Sequence, residues 1–200
     1  MNEPTPGDPE QSKAVVAKAA VAAMLDETQQ FTRAHRDVPV SVAILRFSGV
    51  GEVVTMLPMT RYDSAAVRAA LDRIPHPQDG TAIGAALQAG CAAVYRAGVF
   101  RKHIVVVTDG ENTDGPPPEV VGPEIWTRSH ESLHLHFVAF DTDSARFGFL
   151  ADVHGSLLAA GNGAGLRSAL DQIYQQRILA ESEADVAPPV PDSHPPRDPR

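Results

Sequence analysis

Two short stretches carry oxygen-bearing side chains in positions where a metal ion or a polar ligand can bind. Asp109 follows an apolar run and a threonine in VVVTDGENTDG, and Thr81 precedes an alanine-rich segment in QDGTAIGAAL. Carboxylate and hydroxyl oxygens suit a hard cation such as Mg²⁺. Each motif also has an ordinary structural explanation, because Asp-Gly is a common turn and Thr is a good helix cap. On position alone, the two explanations of Asp109 weigh equally and the cap is favoured for Thr81.

Apolar runs that alternate with helical patterns place these residues in a fold. The pattern predicts an α/β protein with a doubly wound, Rossmann-like, mostly parallel sheet. The tight SGVG link between the first two strands makes the second one antiparallel and places it at the sheet edge. The predicted strands are 38–47, 52–60, 103–110, 133–141 and 156–160, and the predicted helices are 9–35, 64–74, 81–98, 122–132, 144–153 and 163–180.

Ligands of such sheets bind beyond the carboxyl ends of the strands, near the switch in strand order. The polar residues just after the strands therefore matter most, namely Ser48, Asp109 and Asp141, together with the loop before Thr81.

At the amino terminus, residues 1–8 read as a loop. Asp8-Pro9-Glu10-Gln11 reads as the start of the first helix, with Asp8 as the cap and Gln11 completing a capping box.

Composition narrows the class of protein. The net charge of −8 argues against nucleic acid or an anionic membrane as the partner. The single cysteine excludes an internal disulfide, and no apolar run reaches membrane-spanning length. With no signal-peptide pattern either, the default location is the cytoplasm.

Residues 8–180 form the predicted domain, and the proline-rich acidic residues 181–200 form a predicted disordered tail.

The combination of these motifs resembles the von Willebrand factor A (vWA) domain. The resemblance rests on DGT opening an alanine-rich helix and on a buried strand ending in TDG about twenty-five residues later. It extends through RFSG, FVAFDTD and the remaining elements over residues 8–180. It implies a metal-ion-dependent adhesion site, usually holding Mg²⁺, in which Thr81 and Asp109 are ligands and a protein partner's carboxylate completes the coordination. Asp79, Gly80, Gly110 and Ser48 would form the rim, and no catalysis is implied.

The chain departs from the family at its amino terminus. The family has a central first strand that ends in a DxSxS motif, commonly DxSGSM, and neither is present here. The simplest account makes Met1 the methionine of DxSGSM, with the strand and its ligands upstream. An alternative replaces the motif with Glu3 and Asp8, although no apolar strand precedes these residues to hold them at the end of the sheet. Thr81 and Asp109 are then the two remaining ligands, and two ligands alone predict weak or absent Mg²⁺ binding. The missing central strand predicts that the chain is poorly stable and prone to aggregation.

Three alternatives stay open. The first is a metal-independent or decayed interaction module. The second is a haloacid-dehalogenase-like phosphatase that uses Asp141 and Asp143 in FVAFDTDS, against which stands the absence of a downstream lysine in the ordered part. The third is a Zn²⁺ site at His134 and His136, which share one strand face but lack a third ligand nearby in sequence. Ordinary alternation on a partly exposed strand is the favoured explanation of these two histidines.

Overall fold

The computed structural model describes residues 1–49, 52–76, 80–98 and 101–180. Its helices and strands alternate along most of the chain, as the apolar periodicity predicts. The strands are β1 (Pro4–Thr5), β2 (Asp8–Ser12), β3 (Ser41–Phe47), β4 (Val53–Arg61), β5 (Lys102–Thr108), β6 (Leu133–Phe140) and β7 (Ser156–Ala160). The helices are α1 (Lys13–Ala34), α2 (Ser64–Asp72), α3 (Ile83–Arg96), α4 (Pro118–Arg128) and α5 (Gly163–Ile173). A 3₁₀ helix spans Ser144–Val153, and α5 continues into a π-helical segment, Tyr174–Leu179.

The parallel part of the sheet is formed by β5, β6 and β7 in that order. Strand β6 lies in the middle, paired in parallel with both neighbours, and its run LHLHFVAF is buried almost throughout. A strand covered by helices on both faces needs apolar residues at nearly every position, which explains this run.

Strands β3 and β4 form a separate antiparallel hairpin. Its register shifts between Val42 and Ile44 and again between Ile44 and Leu45. Pro58 lies in β4 opposite this irregular stretch, where a residue without an N–H group costs no regular ladder bond. The antiparallel pairing of β3 with β4 confirms the hairpin that was predicted from the SGVG link.

The sheet is interrupted between β3 and β5. Among the described residues, β3 pairs only with β4, and β5 pairs only with β6. The predicted absence of a central strand thus appears as a gap between two sheets, which share helices α1 and α3 as neighbours.

The amino terminus differs from its prediction. Residues expected as a loop and a helix start form the β1–β2 ribbon, which turns at Gly7 with a φ of +84°. Helix α1 begins at Lys13, and Asp8 accepts a hydrogen bond from Gln11 Nε2 at 2.7 Å instead of capping the helix. Backbone carbonyls replace the cap, because the N–H groups of Lys13 and Ala14 donate to Glu3 O and Met1 O.

Two apolar clusters lie on the two faces of the sheet. One joins α1, α2 and α5 to residues such as Ile44, Val138 and Phe140. The other joins α3, α4 and the 3₁₀ helix to residues such as Val106 and Phe137. Within the described residues, no helix has the length and apolar character that crossing a membrane requires.

Candidate functional site

Asp109 and Thr81 lie together at the carboxyl end of β5. The carboxylate of Asp109 is 14% exposed and forms an ion pair with the amino group of Met1. The next residue is Gly110. A Cβ atom added to Gly110 would lie 3.6 Å from Thr81 Oγ1, so the Thr81 hydroxyl faces the backbone between Asp109 and Gly110. The structure therefore brings together the two oxygen-bearing residues that the sequence singled out.

The loop after Asp109 folds over the amino terminus of α3. Thr81 N donates to Thr113 Oγ1 at 2.8 Å, and Thr113 N donates back to Thr81 O at 2.9 Å. Asn112 Oδ1 accepts from Ile83 N at 2.8 Å and from Gly84 N at 3.3 Å. Asn112 thus caps α3, the role that the ordinary structural explanation gave to Thr81, and the helix's own N-cap residue, Ala82, makes no side-chain cap bond. Sequence reasoning missed this cap because it comes from a distant loop.

Close backbone packing shapes the rim of the site. Gly80 has a φ of +88°, and a Cβ there would lie 2.4 Å from Gly49 Cα, so only glycine fits. Ser48 is buried, and its hydroxyl donates to Glu52 Oε2 at 3.0 Å. The end of β3 therefore lies beside the backbone that leads into Thr81. Asp79, predicted as a rim residue, lies outside the described residues.

A buried lysine neighbours this site and was not singled out as a site residue. Lys13 is 3% exposed, and its Nζ lies 2.7 Å from both Glu3 Oε2 and Asp141 Oδ2. Burial alone lowers the pKa of the ammonium, but the two carboxylates outweigh it and raise the pKa above its usual value. The same contact lowers the pKa of Glu3, chiefly through the hydrogen bond from Lys13. The only sequence signal was the early lysine of α1.

Asp141 and Asp143, the pair behind the phosphatase alternative, have structural partners. Asp141 has a φ of +52° and binds Lys13, which precedes it in the chain by more than a hundred residues. Asp143 Oδ1 accepts from Ala145 N at 2.9 Å and caps the 3₁₀ helix. These contacts are those of an ordinary strand end and an ordinary helix cap.

Three histidines meet on one face of β5 and β6. His134 and His136 of β6 are joined there by His103 of β5, whose Nδ1 lies 3.1 Å from His136 Nε2. The ring of His103 stacks on the other two with centroids 5.2 and 5.4 Å away. Stacked rings do not point their nitrogens at a common centre, and no group of three or more His, Cys, Asp or Glu among the described residues is arranged to hold a metal. His103 was missed because it comes from a neighbouring strand.

The donor set at Asp109 fits a hard cation in type but supplies few ligands. Carboxylate and hydroxyl oxygens are the atoms Mg²⁺ prefers, and octahedral coordination leaves the remaining positions to water or to another molecule. The Met1 amino group already balances the charge of Asp109, so a cation must displace it. Thr81 and Asp109 are the residues that would hold such an ion.

Comparison with known proteins decides the family. The family model described as von Willebrand factor type A domain matches residues 2–111 of the 200-residue chain. The chain belongs to the vWA family. No curated protein sequence matches this vWA chain.

Solved structures support the same fold. A von Willebrand factor type A protein from Catenulispora acidiphila superposes with a TM-score of 0.63 at 20% identity, covering 81% of this chain and 37% of that chain. Proximal thread matrix protein 1 from the mussel byssus, described with a zinc-occupied MIDAS motif, gives 0.64 at 15% identity, with 80% and 39% covered. The SpRpn10 VWA domain gives 0.57 at 15% identity, with 78% and 82% covered. The vWA chain spans well under half of the first two proteins.

Proposed function

We propose that this vWA domain is a non-catalytic protein-interaction module that engages its partner at the carboxyl end of β5. A divalent cation, Mg²⁺ in the first instance, assists from a site held by Thr81 and Asp109. The partner supplies a carboxylate that completes the coordination. The single observation that carries the proposal is that the Thr81 hydroxyl faces the backbone step from Asp109 to Gly110 at the carboxyl end of β5.

Charge explains why a cation would be needed. The chain carries a net charge of −8, so it repels an acidic partner at long range. A divalent ion at Asp109 reverses the local charge and creates one favourable contact for a carboxylate. Because only two protein oxygens contribute, most of the ion's water shell stays in place and the affinity is weak. The mussel protein, which has the same fold, is described with a zinc-occupied MIDAS motif, and this supports a metal role for the present domain.

The test is calorimetric titration of the purified 200-residue chain with MgCl₂, without and with acetate as a simple carboxylate. We expect millimolar-range binding that acetate strengthens, and loss of the heat signal in Asp109→Ala. Thr81→Ala should weaken binding without abolishing it, since a neutral hydroxyl contributes less than a charged carboxylate.

A matched control removes one negative charge elsewhere. Asp152 is an exposed acid in the 3₁₀ helix, and Asp152→Ala should bind Mg²⁺ like the unaltered chain. If Asp109→Ala and Asp152→Ala bind equally, the metal site is wrong. The metal-independent or decayed module, the first alternative, then becomes the better account of the domain.

A further inference from the structure

Three histidines lie in the amino-terminal halves of β5 and β6, next to the π-helical segment that continues α5. They are His103, His134 and His136, and together they are called the histidine cluster. Strand β7 runs parallel to β6, and α5 packs on both strands, so the helix returns from their carboxyl ends to their amino ends. Its continuation, Tyr174–Leu179, therefore reaches the end of the sheet where the cluster lies.

The segment covers the face of β6 that carries His136. Tyr174 is 4% exposed and belongs to the same apolar cluster as Val138. Val138 is two residues from His136 on one strand, so the two side chains share a face of the sheet. Arg177 of the segment acts electrostatically on the His136 ring. The segment and His136 are therefore neighbours.

Two hydrogen bonds tie the segment to α1. The hydroxyl groups of Tyr174 and Thr28 share one, and Gln175 Nε2 donates to Glu27 Oε2 at 3.1 Å in the other. Burial raises the pKa of Tyr174 to about 12, so its hydroxyl is neutral at ordinary pH. π-Helical turns are uncommon and often occur at functional sites. Opening of the segment requires these two bonds to break while the sheet stays folded.

The closed arrangement accommodates only a neutral His136. This residue is 3% exposed, and its Nε2 lies 3.1 Å from His103 Nδ1. Its Nδ1 has no hydrogen-bond partner among the described residues. A neutral imidazole has one N–H group, whereas a protonated one has two. The second N–H group of a protonated His136 therefore lacks an acceptor, and burying a charge in that state is costly.

The groups around His136 also disfavour a proton on its ring. Among the described residues, the groups that act on it electrostatically are His103, His134 and Arg177. Strand β7 carries no titratable side chain, and on α5 the guanidinium of Arg167 lies 4.0 Å from the carboxylate of Asp171. Burial first, and then these neighbours, lower the pKa of His136 to about 3.

Detachment of the segment changes this environment. His136 then meets water, where an imidazole takes up a proton near pH 6.5. The open form therefore binds a proton that the closed form excludes, so the fraction of open molecules rises as the pH falls below about 6.5. Above that pH both forms leave His136 neutral, and the closed form keeps its full advantage.

We propose that Tyr174–Leu179 is a pH-sensitive strap, which detaches from the histidine cluster when His136 takes up a proton. Detachment is local: the strap loses its contacts with α1 and β6, and the strand pairing of the sheet stays intact. The strap lies at the amino ends of the strands, whereas Asp109 follows the carboxyl end of β5. It therefore holds or fails independently of the metal site.

Amide hydrogen exchange of the full 200-residue chain at about pH 8 and about pH 6 tests the strap. Each rate is divided by the rate of an unstructured peptide of the same sequence at the same pH. We expect an opening constant about fourfold larger at the lower pH, the ratio for one group that titrates near pH 6.5 only in the open form. Exchange of the strap should depend less on urea than exchange of β6, since local opening exposes little surface.

Three variants separate the proton from the packing. His136→Gln keeps a polar side chain that does not titrate, and its opening constant should be the same at both pH values. His154→Gln removes a histidine at the end of the 3₁₀ helix, outside the cluster, and should retain the ratio of the unaltered chain. Tyr174→Phe loses the bond to Thr28, so the strap should open about fivefold more at each pH with the ratio unchanged.

Any of three results would overturn the proposal. One is equal protection of the strap at both pH values in the unaltered chain. Another is a pH ratio that persists in His136→Gln. A third is exchange of the strap with the same urea dependence as β6, because the segment then opens only when the whole domain unfolds. The first and third use the unaltered chain, so they decide the matter even if His136→Gln does not fold.

Discussion

At the scale of single residues, the ion pair between Met1 and Asp109 decides how freely a cation can bind. An ammonium group in contact with the carboxylate competes with Mg²⁺ for the same oxygen. Acetylation of the Met1 amine removes that charge. We expect acetylated chain to bind Mg²⁺ about fivefold more tightly, as loss of an ion pair worth roughly 1 kcal/mol implies. Parallel titrations of acetylated and free chain measure this, and equal affinities would contradict it.

The contact of Lys13 with Asp141 leads to a second expectation at this scale. Asp141→Asn leaves a buried ammonium with only Glu3 as its charged partner, and Glu3 lies exposed to solvent. We expect Asp141→Asn to lower the free energy of unfolding by about 1–3 kcal/mol, the usual cost of losing a charged hydrogen bond. Glu3→Gln, which keeps the Asp141 contact, should have a much smaller effect. Urea denaturation compares the two, and a larger loss in Glu3→Gln would refute this account.

At the scale of elements, the apolar runs in the sequence correctly predicted the strands, because a buried strand is defined by its local pattern of apolar residues. The run IVVV before Thr108 and the run in LHLHFVAF identify strands that the structure contains. The amino terminus was predicted wrongly, because Asp8-Pro9-Glu10-Gln11 has every local feature of a helix start. The carbonyls of Met1 and Glu3 serve as the cap instead, and no local pattern reports that contact.

The candidate site divides in the same way. Thr81 was singled out because it precedes an alanine-rich helical segment, and Asp109 because it comes at the end of an apolar strand. Asn112 and Lys13 were missed as site residues since their partners, Ile83 and Asp141, lie far away in sequence. Local chemistry therefore selected the candidate oxygens, Thr81 and Asp109, whereas the groups that hold the loop and the helix in place required the fold.

The histidine cluster across β5 and β6 makes the pairing of these elements sensitive to pH. Burial, followed by the nearby His103, His134 and Arg177, lowers the pKa of His136 to about 3. Nδ1 of His136 has no hydrogen-bond partner among the described residues, so nothing there stabilises its protonated form. The unfolded chain takes up this proton near pH 6.5, while the folded chain does not. Stability therefore falls as the pH drops below about 6.5.

The expected loss from His136 between pH 8 and pH 5 is about 2 kcal/mol. In His136→Gln the side chain stays polar but no longer titrates, so the pH dependence of the unfolding free energy should be smaller by this amount. Urea denaturation at several pH values measures the difference. His154→Gln removes a histidine outside the cluster and serves as the control. A steep acid loss that persists in His136→Gln would rule out this origin.

At the scale of the whole molecule, the gap between β3 and β5 governs stability and solubility. No strand of the described residues bridges the two sheets, so no ladder of backbone hydrogen bonds joins them. Half-buried apolar side chains along this gap, such as Val105 and Val107, contribute less than fully buried ones, by about 25 cal/mol for each Å² left exposed. Open strand edges also offer templates for pairing with other chains. Both effects predict a low unfolding midpoint and concentration-dependent aggregation for the isolated vWA chain.

A charge placed on β5, beside the gap between β3 and β5, tests whether these open edges cause the aggregation. Val105→Lys should slow aggregation measured by light scattering, because a buried-edge lysine opposes pairing with a second chain. The control Val120→Lys adds the same charge and removes an exposed valine that is 51% accessible on α4. If surface hydrophobicity or net charge drives aggregation, the two variants will behave alike. Faster scattering in Val120→Lys than in Val105→Lys, at equal thermal midpoints, assigns the aggregation to the open edges.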